Sequence, residues 1–168
     1  DAAFARKKCN EFIRDELSAA RIYNLAAQRA LTDGEVELAT QRYTLAMKFL
    51  GRALHTMQDA TSPAHQGTQD WDNSWSPKAI VKKVGHAVQE MSYPPAGSNE
   101  RKQLEGATDW GFDLFKSAKL TDIERMTFID EHGRLALPKE YTASAAQRQG
   151  QAAGAAASAS WKDARQRV

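Results

Sequence analysis

Residues 35–60 read EVELATQRYTLAMKFLGRALHTMQDA, and their apolar positions recur at helical spacing. Val36, Ala39, Tyr43, Ala46, Leu50, Ala53 and Met57 step by three and four residues, with Leu54 beside them. Such a period places one apolar stripe along an α-helix, because 3.6 residues complete a turn. The helix is expected to run to about Ala60 and stop at Thr61-Ser62-Pro63, since Pro63 disfavours helical geometry at Ser62. Just upstream, Thr32-Asp33-Gly34 punctuates the chain. Asp33 is expected to cap the helix that follows, and Gly34 permits the turn.

The same period extends on both sides of this stretch. Phe4, Cys9, Phe12, Ile13 and Leu17 give a stripe for a first helix, which Ile22, Leu25, Ala26 and Leu31 extend. No period accounts for residues 61–77, so Trp71-Asp72-Asn73-Ser74-Trp75-Ser76-Pro77 reads as a structured loop. A further helix is expected after it, with Ser76 as cap, Pro77 at its first position and Ile80, Val81, Val84, Val88 and Met91 as its buried stripe. Another helix is expected over residues 99–119 (Leu104, Ala107, Trp110, Leu114, Phe115), and residues 121–129 read as a short helix. Strand signals are nearly absent. The expected fold class is therefore all-α, a multi-helix bundle. The helical domain is expected to span residues 1–142. Residues 143–168, ten of them Ala, read as a low-complexity tail or an extra helix.

Composition narrows the function classes. The 168 residues are 42% hydrophobic and 26% charged, a globular rather than a disordered balance. The longest run without a polar side chain, Ala152 to Ala157, falls far short of the roughly 20 apolar residues of a spanning helix. The net charge of +2 comes from interspersed charges of both signs, which argues against a dedicated nucleic-acid groove. Cys9 is the only cysteine, so neither a disulfide framework nor a Cys-rich zinc site is available, and a packed apolar thiol is the expectation. The chain begins at Asp1 with no signal-peptide pattern and reads as a processed or excised piece of something larger.

Four histidines carry the chemical signal: His55, His65, His86 and His132. His55 and Asp59 stand at i and i+4, so they project from one helix face a turn apart. His65 follows the helix stop, and His86 with Glu90 repeats the i, i+4 arrangement on the next helix. Two antiparallel helices joined by a loop are expected to bring His55, Asp59, His65, His86 and Glu90 together. Imidazole and carboxylate are ordinary zinc ligands, and three protein ligands plus water is the usual catalytic set, a composition met by His65, His86 and Glu90. His55 and Asp59 would begin a second site close by. Metals so placed activate water and hold the oxygens of a phosphoryl centre. A His-x-x-x-Asp pair is also common as an ordinary surface pair, and His132 reads as a surface histidine at a turn. Trp71 and Trp75 serve either loop packing or substrate stacking. Lys78, Lys82 and Lys83 either steer an anion or line a solvated face.

The run Gly51-Arg52-Ala53-Leu54-His55-Thr56-Met57-Gln58-Asp59-Ala60-Thr61-Ser62-Pro63-Ala64-His65 resembles the central motif of the zinc-dependent phospholipase C and S1/P1 nuclease superfamily. The resemblance covers about residues 50–90. It implies that His55 and Asp59 ligate metal, with Asp59 bridging two ions, and that His65 binds another zinc together with His86 and Glu90. Asp59 and Glu90 are thereby the candidate catalytic carboxylates, with one to three Zn2+ as cofactor. Glu at position 90 leans towards the phospholipases. Of the family's upstream ligands, a terminal Trp, two His and an Asp, the Trp and both His have no counterpart in residues 1–54, which contain neither His nor Trp. Asp15, Glu16, Asp33 and Glu35 are the carboxylates of that region that could stand in for the upstream Asp.

The resemblance implies a phosphodiesterase acting on a phospholipid, with contact to a membrane surface; Trp71 and Trp75 are the substrate-binding candidates, placed to stack bases in the nuclease alternative. A nuclease on the same scaffold, or a non-catalytic helical module with a structural metal, are the alternatives. The motif also resembles segments of C-terminal toxin modules of bacterial RHS-repeat proteins. That second resemblance implies a secreted or delivered effector with an immunity protein as partner.

Overall fold

The computed structural model describes residues 2–62 and 94–143. Four α-helices occur among them: α1 (Ala2–Thr32), α2 (Val36–Asp59), α3 (Asn99–Ser117) and α4 (Leu120–Arg125), followed by a 3-10 turn at Lys139–Tyr141. The only β feature among the described residues is one isolated antiparallel bridge, Ile129 to Leu135. The fold is all-α, and α2 keeps the expected bounds to within a residue.

α1 and α2 form an antiparallel hairpin. Gly34 adopts φ +80°, and two bonds close the end of α1: Gly34 N donates to Leu31 O and Glu35 N to Ala30 O. This is a Schellman arrangement, in which a left-handed residue lets the chain reverse and satisfies the last carbonyls of the helix. Asp33 therefore belongs to the end of α1. The expectation that it caps α2 is overturned: the N-cap position is Glu35, with no side-chain cap bond. Down the hairpin the register is regular, since Arg42 Nη1 donates to Ala26 O and Arg52 Nε to Glu16 Oε2, ten residues up one helix for ten down the other. Ala39, Ala46 and Ala53 on α2 and Ala20 and Ala27 on α1 are buried at seven-residue intervals. Small side chains repeated at that spacing let two helix backbones approach closely along a seam.

α3 lies on one side of this hairpin. Ser98 starts it, its Oγ accepting from Arg101 N, as an N-cap serine should. Gln58 Nε2 donates to Thr108 Oγ1 at its middle, while Arg21 Nε donates to Ala118 O and Asn24 Nδ2 to Phe115 O at its end. The second half of the third helix thus runs from the foot of α2 up to the level of Asn24. It stops at Ser117, two residues earlier than expected, with Ala118 already extended. Ile13, Leu17, Leu50, Met57, Trp110, Leu114, Phe115, Ile123 and Phe128 form the core between the three helices and the segment after α4.

Two expectations about the apolar stripes need correction. Phe4, Phe12, Ile22, Leu25 and Leu31 of α1, and Val36 and Tyr43 of α2, are exposed, whereas Ile13, Leu17, Ala39, Ala46, Leu50, Ala53 and Met57 are buried. Among the described residues the hairpin outruns its third layer, and Phe4, Ile22 and Leu25 lie on the side of α1 away from the core. The buried face of α1 instead includes polar Asn10, Glu16 and Asn24. Cys9 is half-buried against the core, and burial raises its thiol pKa, as a packed thiol should show.

The short helix expected over 121–129 ends at Arg125, and residues 126–129 leave helical geometry. Asn10 accounts for the change. Its Oδ1 accepts from Phe128 N at 2.7 Å and Ile129 N at 3.0 Å, and its Nδ2 donates to Ile129 O. A side-chain amide supplies the bonds that a neighbouring strand would otherwise make. Leu135 N in turn donates to Ala60 O, tying this segment to the foot of α2. The helix expected over 77–92, the loop before it, and residues 144–168 of the expected tail lie outside the described residues.

Candidate functional site

His55 and Asp59 lie in the last two turns of α2, where the i, i+4 spacing puts them on one face. That face is the outer one: Ala53 and Met57 point into the core, while the His55 side chain is 76% exposed and that of Asp59 35%. His55 Nε2 stands 3.5 Å from Asp59 Oδ2. The helix end beneath them is closed by Ala60 N to Thr56 O, Thr61 N to Gln58 O and Ser62 N to Asp59 O. Thr61 is buried, with its hydroxyl donating to Gln58 O. The pair therefore sits on a firmly terminated helix, open to solvent on one side.

The donor set suits a metal in kind and spacing. Ligands about 2.0–2.2 Å from a tetrahedral zinc stand roughly 3.3–3.6 Å from one another, close to the separation seen here. Among the described residues, however, no three His, Cys, Asp or Glu side chains come together as a metal-holding group. His65, His86 and Glu90, with Trp71 and Trp75, lie outside the described residues. The structure thus brings His55 and Asp59 together and places them on the solvent side of α2.

Glu16 is bound to Arg52, Nε to Oε2 at 2.7 Å. Asp33 and Glu35 stand at the opposite end of the hairpin, about 35 Å up α2 from Asp59 at 1.5 Å per residue. Neither can share an ion with His55 or Asp59. Asp15 joins no three-residue group either. His132 stands in the 129–135 turn, 64% exposed and 3.5 Å from Glu131, an ordinary surface position as expected. Asp130 organises that turn, its Oδ1 accepting from the backbone N–H of His132 and of Arg134.

Arg52 was not given a role by sequence spacing. It shares the exposed face of α2 with His55 and Asp59, salt-bridged to Glu16 and with its Cζ 4.8 Å from the centre of the Phe49 ring. The Phe49 ring in turn stacks on Tyr23 of α1, centroids 5.4 Å apart. The available signal was its position three residues before His55. The partner that fixes it lies 36 residues upstream, beyond any local pattern.

Among the described residues no helix is long and apolar enough to cross a membrane. Set against models of known protein families, curated proteins and solved structures, the chain matches none.

Proposed function

We propose that this chain is a zinc-dependent phosphodiester hydrolase of the phospholipase C type, acting on a phospholipid headgroup. The observation that carries the reading is the exposed His55–Asp59 pair, with donor atoms 3.5 Å apart on the outer face of α2. It opens the chain order His55, Asp59, His65, His86, Glu90, which holds the imidazoles and carboxylates of a multi-ligand zinc set. Zinc, when bound, polarises a phosphoryl oxygen and brings the pKa of a bound water towards neutrality. The residues of the chain supply the rest. His55 and Asp59 hold metal from one rigid helix, while His65, His86 and Glu90 complete the donor set. Asp59 and Glu90 are the catalytic carboxylates of this reading, acting as ligands that would hold zinc where it activates the attacking water, and Trp71 and Trp75 are the substrate-binding side chains. In this reading the chain is a delivered toxin module that damages a target membrane and is countered by an immunity protein.

Elemental analysis of the full chain, prepared without chelator, tests the reading. Between about one and three zinc ions per chain are expected, falling in His55→Ala, Asp59→Asn and His86→Ala while helical content is retained. Chelation should abolish release of phosphorylated headgroup from phosphatidylcholine vesicles, and zinc should restore it. Cleavage of single-stranded nucleic acid with no action on vesicles would select the nuclease alternative instead. Less than one ion per chain, with melting indifferent to chelator, would sink both enzyme readings and leave a non-catalytic helical module.

A further inference from the structure

Arg52 precedes His55 by three residues and Asp59 by seven. At 1.5 Å per residue its Cα stands about 4.5 Å and about 10 Å from theirs along the helix axis, within a single stripe. Its guanidinium is fixed from two directions. Nε donates to Oε2 of Glu16, a carboxylate buried in the face of α1, at 2.7 Å, and the planar group lies over Phe49. The Arg52 side chain nevertheless remains 57% exposed, and among the described residues Nε makes its only hydrogen bond. The two Nη groups make no hydrogen bond among the described residues, and the residue that carries them shares the α2 stripe of His55 and Asp59. The nearby hydroxyl of Thr56 does not compete, because it donates back to Arg52 O.

A buried carboxylate needs a cation, but a lysine would serve that need. What only arginine offers is a rigid planar fork that binds Glu16 through Nε–H and keeps the four N–H donors of its two Nη groups for a second anion. We propose that Arg52 is the anion-binding residue of this site, receiving a non-bridging oxygen of a phosphate or phosphodiester group lying over His55 and Asp59. Glu16 and Phe49 act through Arg52, as positioning residues. The inference deepens the phosphodiesterase reading and rests on it for the identity of the substrate.

Calorimetric titration of inorganic phosphate into the full chain with zinc added tests it, using wild type, Arg52→Lys and the double variant Glu16→Gln/Arg52→Gln. The double variant removes the buried charge together with its partner, so folding is expected to survive, and a thermal melt checks this. Phosphate affinity should fall roughly tenfold or more in both variants while zinc content holds, as expected for losing charge-assisted bonds to an anion. Glu16→Gln alone, which keeps Arg52 but loosens it, should weaken phosphate less. Unchanged phosphate affinity in the folded Arg52 variants, or no phosphate binding by wild type, would overturn the proposal. Zinc content in His55→Ala and Asp59→Asn reports separately on the phosphodiesterase reading. Phosphate binding that depends on Arg52 in a chain holding no zinc would keep the anion site and reject the hydrolase.

Discussion

Asn10 lies on the buried face of a helix, where a polar amide is costly unless every one of its bonds is made. Here they are made: two donors reach Arg6 O and Ile129 O, and the carbonyl oxygen accepts from Phe128 N and Ile129 N. One side chain thereby satisfies three backbone groups of the segment that follows α4. Replacing it by leucine keeps the approximate volume but strands those groups away from water. Asn10→Leu should cost about 2–4 kcal/mol, since each buried unpaired group costs about 1–3 kcal/mol before relaxation. Asn24 is a useful comparison because its bond to Phe115 O is long, at 3.5 Å. Asn24→Leu should cost clearly less. Urea denaturation of both variants measures the difference, and equal midpoints would refute the assignment of Asn10 as the clamp.

At the scale of the element, α2 and α3 differ in why they contain glycine. Gly51 lies within α2, and a Cβ built there meets nothing within 4 Å. Its backbone gains nothing local from the missing side chain, so Gly51→Ala should stabilise the protein by up to about 1 kcal/mol through helix propensity. Gly106 and Gly111 on α3 are different. A Cβ at Gly106 would collide with the carbonyl of Tyr141 and with Leu137, and one at Gly111 with the end of the Leu54 side chain. The backbone carbonyl cannot rotate away, whereas the leucine can adopt another rotamer. The expected order of stability is therefore Gly51→Ala above wild type, Gly111→Ala below it, and Gly106→Ala lowest, losing about 1–3 kcal/mol as overpacked sites do. Thermal melts of the three variants check the order. A neutral Gly106→Ala would mean that the Lys139–Tyr141 turn does not pack on α3 as described.

At the scale of the whole molecule, what the sequence revealed and what it hid follow from the reach of each signal. Helical period and stop residues act over a few positions, and they delimit α1, α2 and α3 well. The i, i+4 relation of His55 and Asp59 is equally local, so that half of the candidate site was legible. Asn10 with Phe128, and Arg52 with Glu16, join residues 118 and 36 positions apart, and no local spacing encodes them. A period also cannot tell where a helix extends past its partners. α1 and α2 carry apolar residues into their turn, yet α3 ends at the level of Asn24, leaving Leu31 62% and Val36 63% exposed. Apolar residues at the two ends of the hairpin should therefore contribute unequally to stability. Leu50 is fully buried in the core, and Leu50→Ala should cost about 2–5 kcal/mol from lost burial plus the cavity left behind. Leu31→Gln and Val36→Thr remove apolar surface that water already reaches, so each should shift stability by less than about 0.5 kcal/mol. Chemical denaturation of the three variants reads this gradient directly. A cost at Leu31 or Val36 comparable to that at Leu50 would mean that the hairpin end is covered in the folded protein, contrary to its exposure here.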